Sequence, residues 1–452
     1  MTKIMKKAVL GSISVALVVN VCIIPTASGE SISVNLSSAI NLAIENNESF
    51  LIAKKEIDRA NGQIIEAASG ALPQITGGLT YLRNWRVPSA VFQFGEEVVN
   101  VKFGTDNSYT ADLTLTQPLY SGGRTFVALK IARLYKKLTQ ETIRTASQDL
   151  KVEVYNAFYG AVLAGEISRV SSQTLKLAQE NLDVVAKMFD QGIASEYDFL
   201  RARVEVSNLR PAVNGSKTDF EVAISALKNL LGIKAESDLE LEVIFDSSQF
   251  IIPPIEISGY EDELVQNRPE VKISRYTSEG RKKAISLYTA GYKPSLSFRT
   301  SLQYQTQFDV GNVFERKWDR SLSSVLEISV PIFDSWRTPS QVKQAKIDYA
   351  QSRLQEEAIR KAMILDLERS YGKYMEAREN LAAQGNAVEL AKRGLEIANV
   401  RFENGVGTQL EVSDARLQLQ LAEINKATAF YNLAVGYANL MRALGRDLEP
   451  VK

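Results

Sequence analysis

The side chains best placed for chemistry are acidic and few. Asp198, Glu411 and Asp414 each stand a few positions after a glycine turn, Gln191-Gly192 or Asn404-Gly405. Glu411 and Asp414 are three apart, so on a helix they share a face. Repeated around a narrow axis, such carboxylates favour cations and repel anions. Acidic residues near a helix start also complement the helix dipole, and the spacing leaves that alternative open. Hydrolytic and redox chemistry have little to work with. There is no histidine, which removes His triads, His general bases and the commonest zinc and iron ligands. A single cysteine, Cys22, excludes an internal disulfide and any cysteine-rich metal site. Ser121-Gly122-Gly123-Arg124 lacks the lysine and spacing of a phosphate loop and reads as a strand-to-helix turn. No catalytic constellation, cofactor site or metal site is legible. Lys plus Arg and Asp plus Glu both number 53, so no basic excess points to nucleic acid.

The elements that must carry these residues fill a chain of 452 residues, 45% of them apolar. Residues 1–29 read as an export signal. Lys3, Lys6 and Lys7 precede an apolar stretch from Ala8 to Pro25, and Ala27-Ser28-Gly29 supplies small residues for cleavage. An uncleaved anchor and acylation at Cys22 are the alternatives. No later apolar run is long enough to span a membrane as a helix, so any crossing must use strands.

The chain repeats itself. Shifted by 213 positions, Pro118-Leu119-Tyr120 falls on Pro331-Ile332-Phe333, Phe189 and Gly192 on Phe402 and Gly405, and Leu231-Gly232 on Leu444-Gly445. Upstream, Asn46 matches Asn267 and Pro73 matches Pro294 at an offset of 221, so the first copy has the longer loop between Pro73 and Pro118. The expected organisation is a first repeat over 30–233, a linker over 234–259 containing Pro253-Pro254, and a second repeat over 260–448.

Each repeat has one order of elements. An opening helix runs from Ser38 to Ala68, and again from about Tyr260 to Tyr288. Two alternating segments follow. Leu296, Phe298, Leu302 and Tyr304 oppose Ser297, Arg299, Ser301 and Gln303, and Tyr109, Ala111, Leu113 and Leu115 oppose Thr110, Asp112, Thr114 and Thr116. Period two means strands with one apolar and one polar face. Then comes a helix of about 66 residues, roughly 100 Å long at the α-helical rise. Leu175, Leu182 and Phe189, and likewise Val388, Leu395 and Phe402, recur at sevens, the coiled-coil spacing. A return helix of about 35 residues follows each glycine turn. Opening and return helices stacked end to end match one long helix, which gives four helical columns. Pro211 inside the first return helix predicts a local kink.

Four strands of about ten residues each have the length and two faces of an outer-membrane wall. Four cannot close a barrel, and lipid does not tolerate open edges. Two chains give eight strands and a filled interior; three give twelve, the smallest symmetric closure with an open lumen. The fold class is therefore mainly α with a membrane β-barrel: a tandem-duplicated long-helix α-barrel with four strands per chain, twelve in the trimer. A half-solvated soluble sheet on a helical bundle is the competing reading.

Over nearly its whole mature length the sequence resembles the TolC-like outer-membrane efflux proteins. The carrying segments are Ala43-Ile44-Glu45-Asn46-Asn47, Ala71-Leu72-Pro73-Gln74, Gln117 through Arg124, and the turns Phe189 through Ser195 and Phe402 through Thr408, with Ala415-Arg416 beyond. Their order, twice, makes the resemblance specific. It implies a homotrimer in the outer membrane and its lipid, helices in the periplasm, and docking onto a periplasmic adaptor (membrane fusion) protein and an inner-membrane transporter. It implies a passive exit duct for efflux or type I secretion, with no enzyme activity and no cofactor. It also places Glu411 and Asp414 at an acidic constriction and Asp198 at a gate-bonding position. The turns Gly192, Ile193, Ala194 and Ser195, and Gly405, Val406, Gly407 and Thr408, become the adaptor-docking candidates, because small residues admit another helical hairpin. One departure stands out: an arginine and a tyrosine of a well-known member are Gly407 and Phe402 here, so that locking bond is expected to be missing. A periplasmic adaptor-like coiled-coil protein would show one hairpin flanked by compact β domains, and an exported enzyme would show a catalytic constellation.

Overall fold

The computed structural model describes residues 32–243, 247–252 and 263–448. The expected export signal, with Cys22, lies outside them, as does part of the expected linker. The first copy runs β1 (Ile32–Val34), α1 (Leu36–Asn46), α2 (Glu48–Ser69), β2 (Gln74–Arg83), β3 (Ser89–Phe94), β4 (Glu97–Lys102), β5 (Asn107–Ser121), α3 (Arg124–Asp190) and α4 (Glu196–Leu230). Between the copies lies β6 (Leu239–Leu241), and the second runs through α5 (Pro269–Thr289), β7 (Ser295–Phe308), β8 (Asp319–Ser329), α6 (Arg337–Glu403) and α7 (Gln409–Ala443).

The long helices α3 and α6 have 67 residues each. Their return helices α4 and α7 have 35 each. Proline is absent from α3, and Pro339 of α6 lies in the first turn, where a missing N–H costs nothing. The helix α4 runs on through Pro211. In α6 the sevenfold stripe is buried at Val388 and Leu395. In α3 the buried stripe is Ser171, Ala178 and Val185 instead, four positions before Leu175, Leu182 and Phe189.

Each opening helix is broken, not continuous as the periodicity alone predicts. The break is at Asn47 in copy one and Arg268 in copy two, equivalent positions at the 221 offset. Asn47 is extended and its side chain accepts from the Phe50 N–H, which starts α2 as a new capped helix. Arg268 precedes Pro269, and the proline ring disfavours helical geometry at the residue before it.

These breaks are where the columns are spliced. The Asn47 Nδ2 donates to the Leu230 carbonyl at the end of α4, 3.2 Å away. The Arg268 Nη1 donates to the Arg442 carbonyl near the end of α7, 3.1 Å away. A Cβ at Gly232 would lie 2.6 Å from the Asn46 Cβ, and one at Gly445 would lie 2.9 Å from the Arg268 nitrogen. Only glycine lets the helix ends approach so closely, and φ of +66° and +69° there also favours it. The chain thus has four packed columns, with α3 against α4, α2, α5 and α7, and α6 against α7 and α5.

The core sits around these joints. Tyr155, Phe158, Tyr159, Phe250 and Phe430 are buried together, with Phe250 reaching in from the segment between the repeats. Burial pushes the Tyr159 hydroxyl up to about 12 and that of Tyr155 higher still.

The sheet has the order β2-β5-β7-β8, antiparallel throughout. Its strands are 10, 15, 14 and 11 residues long. Two smaller pairs accompany it: β1 beside β6 in parallel, and the ribbon β3–β4, which occupies the longer loop of the first copy.

Candidate functional site

Two regions hold the candidate sites: the strand wall at one end and the helix turns at the other. In the wall, register keeps a mainly apolar face apart from a polar one. Leu113 faces Leu302, which faces Leu322; Leu115 faces Thr300, and Leu79 faces Ala111. On the other face Asp112 opposes Gln303, and Thr114 opposes Ser301, with 3.0 Å between their hydroxyls. The apolar face is most open on the edge strands: Leu79 is 88% exposed and Leu322 73%. An apolar sheet face exposed on its edge strands in this way is a lipid-facing surface, since water would penalise it.

Aromatic rings mark both ends of this face. Tyr81 stacks on Tyr109 at 4.6 Å, and Tyr109 on Phe308 at 5.8 Å, at the end away from the long helices. Tyr120, Tyr292, Phe333 and Trp336 are exposed at the helix end. Such belts form where amphipathic rings meet headgroups. Gly122 and Gly123 let copy one turn from strand into α3 with φ of +65° and +87°. Copy two makes the same turn with Ser335 and Trp336, both at positive φ.

At the far end, the four predicted turn residues of each copy form a tight reversal. The Ile193 N–H donates to Met188 carbonyl at 2.8 Å, and Val406 N–H to Arg401 carbonyl at 3.0 Å. Gly192 and Gly405 both have φ of +71°. Ala194 and Gly407 follow, and Ser195 and Thr408 cap the return helices by accepting from the Asp198 and Glu411 N–H groups at 3.2 Å. Ile193 and Val406 stand out into solvent, 69% and 66% exposed.

The three predicted acidic residues are treated differently. Asp198 accepts from the Ser195 hydroxyl at 2.5 Å and so belongs to its own cap. Glu411 meets Arg401 Nε at 3.4 Å across the turn. Asp414 is exposed, one turn further along α7. Gly407 lies against the end of α6. A Cβ there would lie 2.9 Å from the Arg401 Cβ and 3.0 Å from the helix backbone. Arg401, from the end of α6, covers the turn, donating also to the Val406 carbonyl at 3.1 Å.

One pairing was not foreseen. Glu205 of α4 accepts from Arg416 Nη1 at 2.7 Å and from the Ser413 hydroxyl at 2.8 Å, both on α7. Arg416 is 4% exposed and Glu205 half-buried, so this charge pair between the two hairpins, just behind the tips, has its cation buried. The sequence held one signal, the repeat of Arg203 as Arg416, but neither spacing nor composition tells which arginine turns inward.

Comparison with known proteins agrees with this geometry. The family described as outer membrane efflux protein matches residues 39–233 and 261–446. The probable efflux pump outer membrane protein TtgC of Pseudomonas putida is 23% identical over 412 residues, covering 91% of this chain and 82% of that protein. Outer membrane protein TolC of Escherichia coli is 22% identical over 427 residues, with the same two coverages. The crystal structure of CusC superposes with a TM-score of 0.75 at 19% identity, over 91% of this chain and 92% of the other. With its lipid-type strand wall and paired 67-residue helices matched over both copies, this chain belongs to the outer membrane efflux protein family, as a non-enzymatic channel of the outer membrane.

Proposed function

We propose that three copies close one twelve-stranded barrel in the outer membrane, and that their helices form a tunnel reaching about 100 Å into the periplasm. The observation that carries this is the sheet itself: four amphipathic strands whose outer members, β2 and β8, each present an open edge. Lipid does not accept such edges, and copies of the chain supply the missing pairs. The duct is passive and needs no nucleophile or cofactor. Three copies set Glu411 and Asp414 around one axis at the periplasmic mouth, with Asp198 beside them. The exposed turns at 192–195 and 405–408 offer small residues and two apolar tips, Ile193 and Val406, to a periplasmic adaptor protein, which links the duct to an inner-membrane transporter.

The test is assembly and conductance. Purified protein should migrate as a heat-modifiable trimer and conduct ions in planar bilayers. Cysteines at Asn100 and Asn312, in the loops away from the long helices, should label in intact cells with an impermeant thiol reagent. A monodisperse, non-conducting monomer in mild detergent would remove the barrel, and labelling only after permeabilisation would invert the topology.

A further inference from the structure

The internal duplication fixes how one chain meets the next. Residues of β5 map onto β8 by the 213 offset, and those of β2 onto β7 by the 221 offset. The two pairs inside each copy test this mapping. Gln74 faces Thr116, and their images Ser295 and Ser329 face each other; Arg83 faces Asn107, and their images Tyr304 and Arg320 face each other. Both ends of the ladder agree, so the mapping preserves register as well as sequence.

The pair β5–β7 joins copy one to copy two within the chain. Its image is β8 of copy two against β2 of a copy one, and that copy one must belong to another chain. We infer that β8 pairs with β2 of a second copy in the register that β5 and β7 display, an inference that rests on the trimer reading above. Leu115 faces Thr300, so Ile328 faces Leu79 of the next chain. Leu113 faces Leu302, so Leu326 faces Tyr81. Thr114 faces Ser301, so Glu327 faces Thr80.

Three observations support this register. First, side chains keep their faces: Leu326 and Ile328 meet Tyr81 and Leu79 on the lipid side, while Glu327 meets Thr80 on the polar side. A slip by one residue would turn Glu327 toward lipid. Second, both strands lie open along their length: every residue of β8 and all but one of β2 are exposed, whereas β5 and β7 are largely half-buried. Long open edges are templates for strand addition. Third, β8 stops early. Its mate β5 continues through Gln117, Pro118 and Tyr120 to Ser121, with an irregularity between Pro118 and Tyr120. The images Val330, Pro331, Phe333 and Asp334 are not strand within one chain, and Val330, Ile332 and Phe333 are exposed. On the neighbour they extend β8: Pro331 faces Thr76, Ile332 takes the place of the irregularity, and Phe333 faces Ile75. The proline falls where its copy-one mate already sits in a ladder, so its missing N–H is no obstacle.

The seam is not chemically uniform. Asp112 and Gln303 line the polar face within a chain. Their images are Val325 and Leu82. The lumen at that level therefore alternates three polar with three apolar sectors.

The experiment is oxidative cross-linking of full-length protein in outer membranes. Leu79→Cys with Ile328→Cys, and separately Thr80→Cys with Glu327→Cys, should shift the band from monomer to a covalent trimer that survives heating in detergent. Leu79→Cys paired with Leu326→Cys, or with Val330→Cys, tests the two flanking registers of the same face and should stay monomeric on heating. Single-cysteine variants control for Cys22. An unheated trimer in which a flanking pair cross-links, or in which none does, overturns the register while leaving the trimer standing. Loss of the unheated trimer in the parent protein overturns the assembly itself.

Discussion

The two copies share every long-helix length and part company at their joints and turns. Copy one joins its spliced column with Asn47, a neutral side chain that caps one helix and touches the end of another. Copy two does the same job with Arg268, which is 1% exposed. Its guanidinium meets Glu270 at 3.1 Å, Asp366 at 3.1 Å and the Arg442 carbonyl at 3.1 Å. Placing a cation against the carbonyl end of α7 suits the helix dipole, but it buries a charge that must stay paired. Equal geometry has thus been reached by two chemistries, and the charged solution is the one with more to lose.

That contrast sets the largest expected effect. Arg268→Ala leaves two carboxylates facing an empty site and should cost about 3 kcal/mol. Asn47→Ala removes a cap and one neutral bond and should cost about 1 kcal/mol. Thermal unfolding of the detergent-solubilised protein compares them. Equal losses would mean that the charge network adds nothing beyond the splice itself.

The hairpin tips give the next effect. Arg416 is buried against Glu205, while its copy-one mate Arg203 is exposed. Removing a charge-assisted contact of this kind releases about 2 kcal/mol, roughly thirty-fold in a two-state population. Arg416→Ala should therefore raise the open probability of reconstituted channels, and Arg203→Ala should not, with the trimer intact in both. Glu411→Ala with Asp414→Ala should instead weaken cation preference and block by divalent cations from the periplasmic side. If Arg203→Ala opens the channel as much as Arg416→Ala, the asymmetry between copies has no part in holding the tips.

A smaller difference lies within the turns. Gly407 is wedged against Arg401, whereas its copy-one mate is Ala194. Gly407→Ala must push the α6 end aside and should cost about 1–2 kcal/mol, as overpacking does. Ala194→Gly should cost a few tenths. The same thermal measurement decides, and a neutral Gly407→Ala would show that the second turn yields freely.

What the sequence made legible follows from what repeats. Strand parity, helix length and glycine turns recur at fixed offsets, so Leu302 with Ser301, the 67-residue helices and Gly192 with Gly405 were all readable. The helix breaks at Asn47 and Arg268 do not show in the apolar spacing, which continues across both; the local signals are a capping asparagine and Pro269. The ribbon β3–β4 was hidden because copy two offers no counterpart for it. Among the tip residues, Asp198 and Glu411 meet Ser195 and Arg401, contacts that depend on side-chain direction and that spacing does not fix. Glu205 and Arg416 are 211 positions apart, and no local pattern joins them.

The smallest effect concerns the turn from strand into long helix. Gly123 in copy one and Trp336 in copy two occupy the same left-handed geometry, with φ of +87° and +63°. A side chain in that region costs about 1–2 kcal/mol, and glycine's greater freedom in the unfolded chain offsets about 0.5–1 kcal/mol of any relief. Trp336→Gly should therefore stabilise the solubilised protein by about 1 kcal/mol or less, since the ring is 71% exposed and gives up little packing. Strain retained beneath an exposed tryptophan has to be offset elsewhere, and the helix-end aromatic belt with Phe333 and Tyr292 is where the ring contributes. With Trp85→Phe and Trp318→Phe in place, Trp336 becomes the sole tryptophan, and brominated lipid should quench its emission in bilayers. A solubilised Trp336→Gly variant that unfolds earlier, together with an unquenched Trp336, would place the ring inside the protein fold and make the turn a packing feature of copy two alone.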